Sequence, residues 1–104
     1  MTNPTSETPV LDLLASMTRE SLEATSLDPQ SLMLVRIAAL AAVDGPTISY
    51  EMNLEAAADV GLSPEAVRAV LAAIAPIIGV PRVASAMGKI AEALAIELEE
   101  LQQG

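Results

Sequence analysis

The sequence predicts an all-α fold, an orthogonal bundle of about five helices, and three observations carry the prediction. Apolar residues recur at helical spacing along most of the chain, no stretch sustains the alternation of a strand, and Asp-Pro, Asp-Gly-Pro, Ser-Pro and Gly-Val-Pro clusters punctuate the periodic segments. Hydrophobic residues make up 52% of the 104, yet Tyr50 is the only aromatic one. Much of the remainder is alanine, which favours helix and lets backbones approach closely but adds little buried area per residue. A chain of this size holds one domain and a thin core. A homo-oligomer that hides a second apolar face is therefore expected, in preference to a compact monomer.

Residues 1–9 are rich in Thr, Ser, Pro and Glu and read as a flexible N-terminal tail; residues 10–104 read as a single all-helical domain. Val10, Leu11, Leu14, Met17 and Leu22 mark a weakly amphipathic first helix that ends near Thr25, with Thr18 and Ser21 interrupting its stripe. Asp28-Pro29 starts the second, because the carboxylate caps free N–H groups and proline fits the first turn, where its missing N–H has no partner to lose. That helix is apolar on nearly every side, with Arg36 its only charge, so it belongs at the centre of a bundle or between subunits. Asp44-Gly45-Pro46 stops it.

Thr47 or Ser49 is expected to open the third helix, which turns Tyr50, Leu54, Ala57 and Ala58 inward and closes at Gly61. The fourth has Ser63 as N-cap, Pro64 at the first position, Glu65 in the first turn and a Leu62–Val67 staple. Pro76 should kink or shorten it, and Gly79-Val80-Pro81 forms the next corner. The last helix carries Val83, Met87, Ile90, Leu94, Leu98 and Leu101 as its stripe. Gly88 lies inside it, where close approach of another helix or simple tolerance accounts for the missing side chain.

Several functions are set aside by composition. Five Lys and Arg stand against 14 Asp and Glu, a net charge of −9, which disfavours nucleic acid and anionic membrane as partners. The absence of cysteine removes thiol redox chemistry, disulfides and thiolate metal sites, and the absence of histidine removes the usual base and the commonest metal ligand. No basic and apolar leader opens the sequence, and no uncharged apolar run reaches the roughly 18 residues of a membrane span, so a cytoplasmic protein is expected. No glycine-rich phosphate loop is present, and no cofactor or metal is expected.

The remaining chemistry lies with a few polar groups. Glu51, Glu55 and Asp59 fall in a row on one helix face, either as a solvated face or as carboxylates that share a cation or a proton. Arg36, amid apolar neighbours, must pair or reach outward: it either binds Glu51 or Glu55 as structural glue or receives a small anionic ligand. Tyr50 is a packing residue with a hydrogen-bonded hydroxyl or part of the same site. Ser49, Asn53 and Ser85 are polar groups on inward-turning elements, and none has a base beside it to activate it. Arg36, Ser49, Tyr50, Glu51 and Asn53 are the candidate ligand-binding residues.

The segments Leu34-Val35-Arg36-Ile37-Ala38-Ala39-Leu40-Ala41, Ala56-Ala57-Ala58-Asp59-Val60-Gly61-Leu62-Ser63-Pro64-Glu65, Val67-Arg68-Ala69-Val70-Leu71 and Gly79-Val80-Pro81-Arg82-Val83 resemble the carboxymuconolactone decarboxylase and alkylhydroperoxidase-D-like family over residues 30–95. The resemblance implies an AhpD-like helical fold and assembly as trimers or hexamers. It also implies sites that this sequence lacks. The peroxidase branch's Cys-x-x-Cys and histidine fall on Pro46, Ser49 and Asn53. The decarboxylase branch's second histidine and its tyrosine fall on Ser85 and Ile77, and the second acid of its glutamate pair falls on Ala66. The expected function is a non-peroxidase homo-oligomeric assembly or small-ligand binding protein. The alternative is a lyase or decarboxylase acting on a small carboxylated lactone or related metabolite, with Arg36 holding a carboxylate and Tyr50 or Glu51 handling a proton.

Overall fold

A computed structural model describes the backbone of residues 8–103 and the side chains of residues 8–96. Five helices follow one another with no strand among the described residues: α1 (Pro9–Ala24), α2 (Pro29–Val43), α3 (Thr47–Asp59), α4 (Pro64–Ile78) and α5 (Val80–Gln103). The expected tail falls on residues 1–7, which lie outside the described ones, and α1 already begins at Pro9.

The helix starts follow the sequence closely. Asp28 accepts from the Ser31 N–H at 3.1 Å and from the Ser31 hydroxyl at 2.6 Å, with Pro29 opening α2. Ser63 accepts from the Ala66 N–H at 3.3 Å, and Pro64 opens α4. α3 departs from expectation. Neither Thr47 nor Ser49 caps it; Pro46 occupies the N-cap position without a side-chain hydrogen bond, and Thr47 is already helical. A proline there fixes the entering backbone, so no side-chain acceptor is needed to set the angle.

The ends of α2 and α3 are hydrogen-bonded as Schellman turns. At the end of α3 the Leu62 N–H reaches the Ala57 carbonyl (3.0 Å) and the Gly61 N–H the Ala58 carbonyl (3.0 Å), with Gly61 at φ 86°. At the end of α2 the same pair runs from Gly45 to Leu40 (2.8 Å) and from Asp44 to Ala41 (3.3 Å). There the left-handed residue is Asp44 (φ 55°), not the neighbouring glycine. Gly45 serves space instead: a Cβ on it would lie 2.8 Å from Leu40 Cδ2. α4 runs through Pro76 to Ile78, so the proline does not end it, and the following corner narrows to Gly79 (φ 87°), with Val80 already in α5.

The core sits where α2 packs on α3, α4 and α5, and α5 packs on α3 and α4. Ile37 and Tyr50 are its largest fully buried side chains, among Met33, Ala41, Leu54, Ala57, Val67, Leu71, Ala86 and Ala93. α2 is thus the central helix, yet Val35 and Val43 on it are exposed. Among the described side chains of α5 the buried ones are Ala86 and Ala93, with Ile90 partly buried, whereas Met87 and Leu94 of the expected stripe are exposed. Two alanines seven residues apart let α5 lie close to its neighbours, and that close approach turns the larger side chains outward. The side chains of Leu98 and Leu101 lie outside the described residues.

Gly88 is exposed, and a Cβ added to it would meet nothing within 4 Å. Within one copy of the chain, no close approach explains the glycine. Gly88→Ala should therefore raise stability by about 0.5–1 kcal/mol in urea unfolding, the ordinary gain for alanine inside a helix. A loss of stability would show that another copy packs against this face.

Candidate functional site

Two concave regions bear on the candidate site. One is an apolar cleft of about 410 Å³ between α3, α4 and α5, floored by Leu54, Ala57, Val67 and Leu71, with Arg68 at its rim. Arg68 is already engaged with Glu65, one turn earlier on the same exposed surface (3.1 Å). The other is an open groove, also about 410 Å³, between α1 and α2. Leu14, Met17, Thr18 and Ser21 line it from α1, Arg36, Ala39, Leu40 and Val43 from α2, and Asn53 from α3.

This second groove brings together only two of the five candidate ligand residues. Arg36 and Asn53 line it; Ser49, Tyr50 and Glu51 do not. Helical geometry separates Glu51 from Asn53, which project about 200° apart around α3, whereas Ser49 shares the Asn53 face one turn earlier and does not reach the groove. Arg36 forms no ion pair with Glu51 or Glu55. Its Nη2 donates to the Ser21 hydroxyl of α1 at 3.0 Å, and the ion pairs among the described residues are Arg68–Glu65 and Lys89–Asp44. A guanidinium without a carboxylate thus faces a mainly apolar groove. The Asn53 amide donates to the Ser49 carbonyl one turn back (2.8 Å), which leaves its oxygen to accept from a guest.

Tyr50 is fully buried and its hydroxyl has no hydrogen-bond partner, contrary to the bonded hydroxyl expected. Burial raises its pKa, and the charge of Asp44 adds to the shift, so the phenol stays protonated and is a poor proton acceptor. Glu55 and Asp59 are exposed and Glu51 is half-buried, and no three such side chains among the described residues gather as a metal site.

A polar cluster that the sequence left unassembled joins the end of α2 to α5. Asp44 Oδ1 accepts from the Ser85 hydroxyl at 2.6 Å and from Lys89 Nζ at 3.0 Å. The same ammonium donates to the carbonyls of Gly45 (2.9 Å) and Asp44 (3.4 Å), and Arg82 Nη1 to that of Ala42 (3.2 Å). Arg82, Ser85 and Lys89 recur at steps of three and four, one face of a helix, and that spacing was the available signal. These are cations set against the carbonyls of a helix C-terminus, where they are favoured electrostatically. The Ser85 hydroxyl and then the Lys89 ammonium hold the Asp44 carboxyl below the usual carboxylate range. So weak a base does not activate Ser85, and the ammonium already has an acceptor for each of its three protons. The cluster is a structural tie.

The sequence profile of the Carboxymuconolactone decarboxylase family matches residues 9–94, and the chain belongs to that family, whose AhpD-like helical fold it shares. The match begins at α1, further toward the N-terminus than the stretch on which the resemblance rested. No curated protein and no solved structure matches the chain.

Two measurements check this geometry. Tyr50→Phe should leave stability unchanged or raise it by up to about 1–2 kcal/mol, because an unpaired buried hydroxyl is removed; a clear loss would reveal a partner for the hydroxyl. For Asp44, a lowered folded pKa means stabilisation that is complete above the unfolded value and disappears as pH falls through the folded one. The stability gap between the wild type and Asp44→Asn should hold steady near neutrality and close below about pH 4. A gap that is independent of pH would contradict the charged tie.

Proposed function

We propose that this member of the Carboxymuconolactone decarboxylase family is a non-peroxidase protein of the cytoplasm, a single helical domain over residues 10–104 that works as a homo-oligomer and binds a small carboxylate-bearing molecule at Arg36. The observation that carries the reading is the Arg36 guanidinium itself. It stands in a groove lined mainly by Leu14, Met17, Ala39, Leu40 and Val43, held by one serine hydroxyl and by no carboxylate. A planar guanidinium keeps donors free for two parallel hydrogen bonds to a carboxylate, and apolar walls strengthen that pairing relative to water. In a chain with a net charge of −9, an unpaired arginine in such a groove is a local exception to the general repulsion of anions. Asn53 supplies an acceptor for a hydroxyl or a protonated group on the same guest.

Peroxidase chemistry requires thiols, and this sequence has none. The lyase alternative requires a proton donor or acceptor beside the bound carboxylate. Tyr50 and Glu51, the groups that would serve, do not line the groove with Arg36, and its other polar side chains are Thr18, Ser21 and Asn53, none of them a base at neutral pH. Binding without turnover is therefore the better-supported reading. Assembly into trimers or hexamers is the arrangement that the family resemblance favours, and the exposed Val43, Ile48, Met52 and Ile77 supply apolar surface for it.

The test is a calorimetric titration with muconate, using its dimethyl ester as the uncharged control. Muconate should bind and the ester should not; Arg36→Ala should weaken binding about tenfold or more, and Arg36→Lys less. Equal binding of acid and ester, or an Arg36→Ala variant that binds as the wild type does, would refute the site.

A further inference from the structure

The apolar cleft between α3, α4 and α5 shares no lining residue with the Arg36 groove. Its floor of Leu54, Val67 and Leu71 belongs to the buried core, so its shape is fixed by packing that the bundle keeps for its own stability. The half-buried Ile90 and the exposed Met87 and Leu94 line it from α5. Along α4 it runs from Pro64 to Leu71, and along α5 from Met87 to Leu94, about 10 Å or two turns in each case. Its volume of about 410 Å³ lies within the roughly 300–1,000 Å³ of small-molecule sites. A protein partner takes roughly 800 Å² from each side of a standard interface, more than so short a cleft presents.

We infer that this cleft binds a medium-chain monocarboxylate, with its alkyl chain along the floor between α4 and α5 and its carboxylate at Arg68. Arg68 is the one charged residue that lines the cleft, in a chain of net charge −9. Side chains on a helix lean toward its N-terminus, so the guanidinium stands at the end where Ser63 and Pro64 also line the cleft. The Ser63 oxygen accepts from the Ala66 N–H, which leaves its proton to donate to a guest. Glu65 opposes an anion here, but it does not line the cleft, and its ion pair with Arg68 is exposed and contributes little. That contact is a single hydrogen bond from a guanidinium with five N–H donors. Covering the alkyl chain supplies the affinity, about fourfold for each methylene buried, until the chain outgrows the cleft. A dicarboxylate such as muconate is excluded, because its second charge would lie on the apolar floor. The two sites therefore take different guests.

Calorimetric titration of the full chain with hexanoate and octanoate tests the site, and methyl spectra of labelled methionines locate it. Octanoate should bind about fifteenfold more tightly than hexanoate. It should shift the Met87 methyl, which lines the cleft, and leave that of Met17, which lines the Arg36 groove. Arg68→Gln should weaken octanoate about fivefold, and Glu65→Gln, which frees the arginine, should tighten it about twofold. Ala91 is exposed and lines the cleft, so Ala91→Phe should fill it and abolish binding, with circular dichroism to follow the fold. Ala58→Phe, equally exposed on the opposite wall, serves should that variant unfold. A wild type that ignores octanoate, or folded filling variants that bind it as the wild type does, would overturn the site. So would octanoate that shifts Met17 and loses affinity in Arg36→Ala, since it would then occupy the other groove. Neither failure touches the Arg36 reading, which the muconate titration decides separately.

Discussion

Asp44 holds the corner on which the arrangement of the other helices depends. A non-glycine residue at φ 55° is strained by about 1–2 kcal/mol, so the chain gives up backbone freedom to place a carboxylate there. The carboxylate takes the Ser85 hydroxyl and the Lys89 ammonium, while Lys89 and Arg82 also reach backbone carbonyls at the end of α2. An exposed ion pair by itself contributes little. Here it acts with a hydroxyl, three carbonyls and the negative end of a helix, and it fixes α5 across the α2–α3 turn. That crossing positions Ala86 and Ala93 against the core that holds Ile37 and Tyr50, and a core with one aromatic residue depends on such close approach.

The starts of α2 and α4 were legible because capping is local: Asp28-Pro29 and Ser63-Pro64 carry their own acceptors and their own constraint on φ. The buried seam of α5 was not. Periodicity weighs large apolar residues most heavily and selected the half-buried Val83 and Ile90 together with Met87 and Leu94, which are exposed, because a closely packed helix buries its smallest side chains and turns some larger ones out. The Arg36 partner was illegible for another reason. Ser21 lies 15 residues away on a helix whose position no local signal fixes, and a hydroxyl carries no charge with which to announce a pairing. Asp44 was read as part of a stop; its ties to α5 span 41 and 45 residues and follow from tertiary crossing alone.

The family resemblance gives these ties a functional meaning. The positions it assigns to thiol and imidazole chemistry carry Pro46, Ser49, Asn53 and Ser85 here. Pro46 sets the entry to α3, the Asn53 amide binds the Ser49 carbonyl, and the Ser85 hydroxyl binds Asp44. Each of these four places is occupied by a residue that shapes or braces the bundle. Arg36 is the charged side chain in a groove without a carboxylate, which is why ligand binding is proposed for it.

The same groove is open because α1 stands away from α2, so the proposed anion site depends on where α1 sits. Hydrogen exchange read along the chain with and without muconate tests that link most directly. The proposed site predicts that amides of α1 and of the Arg36 turn of α2 gain protection when muconate binds, while those around the Ile37 and Tyr50 core are unchanged. Protection that muconate does not alter at α1 and around Arg36 would contradict it, because the groove would then hold no guest.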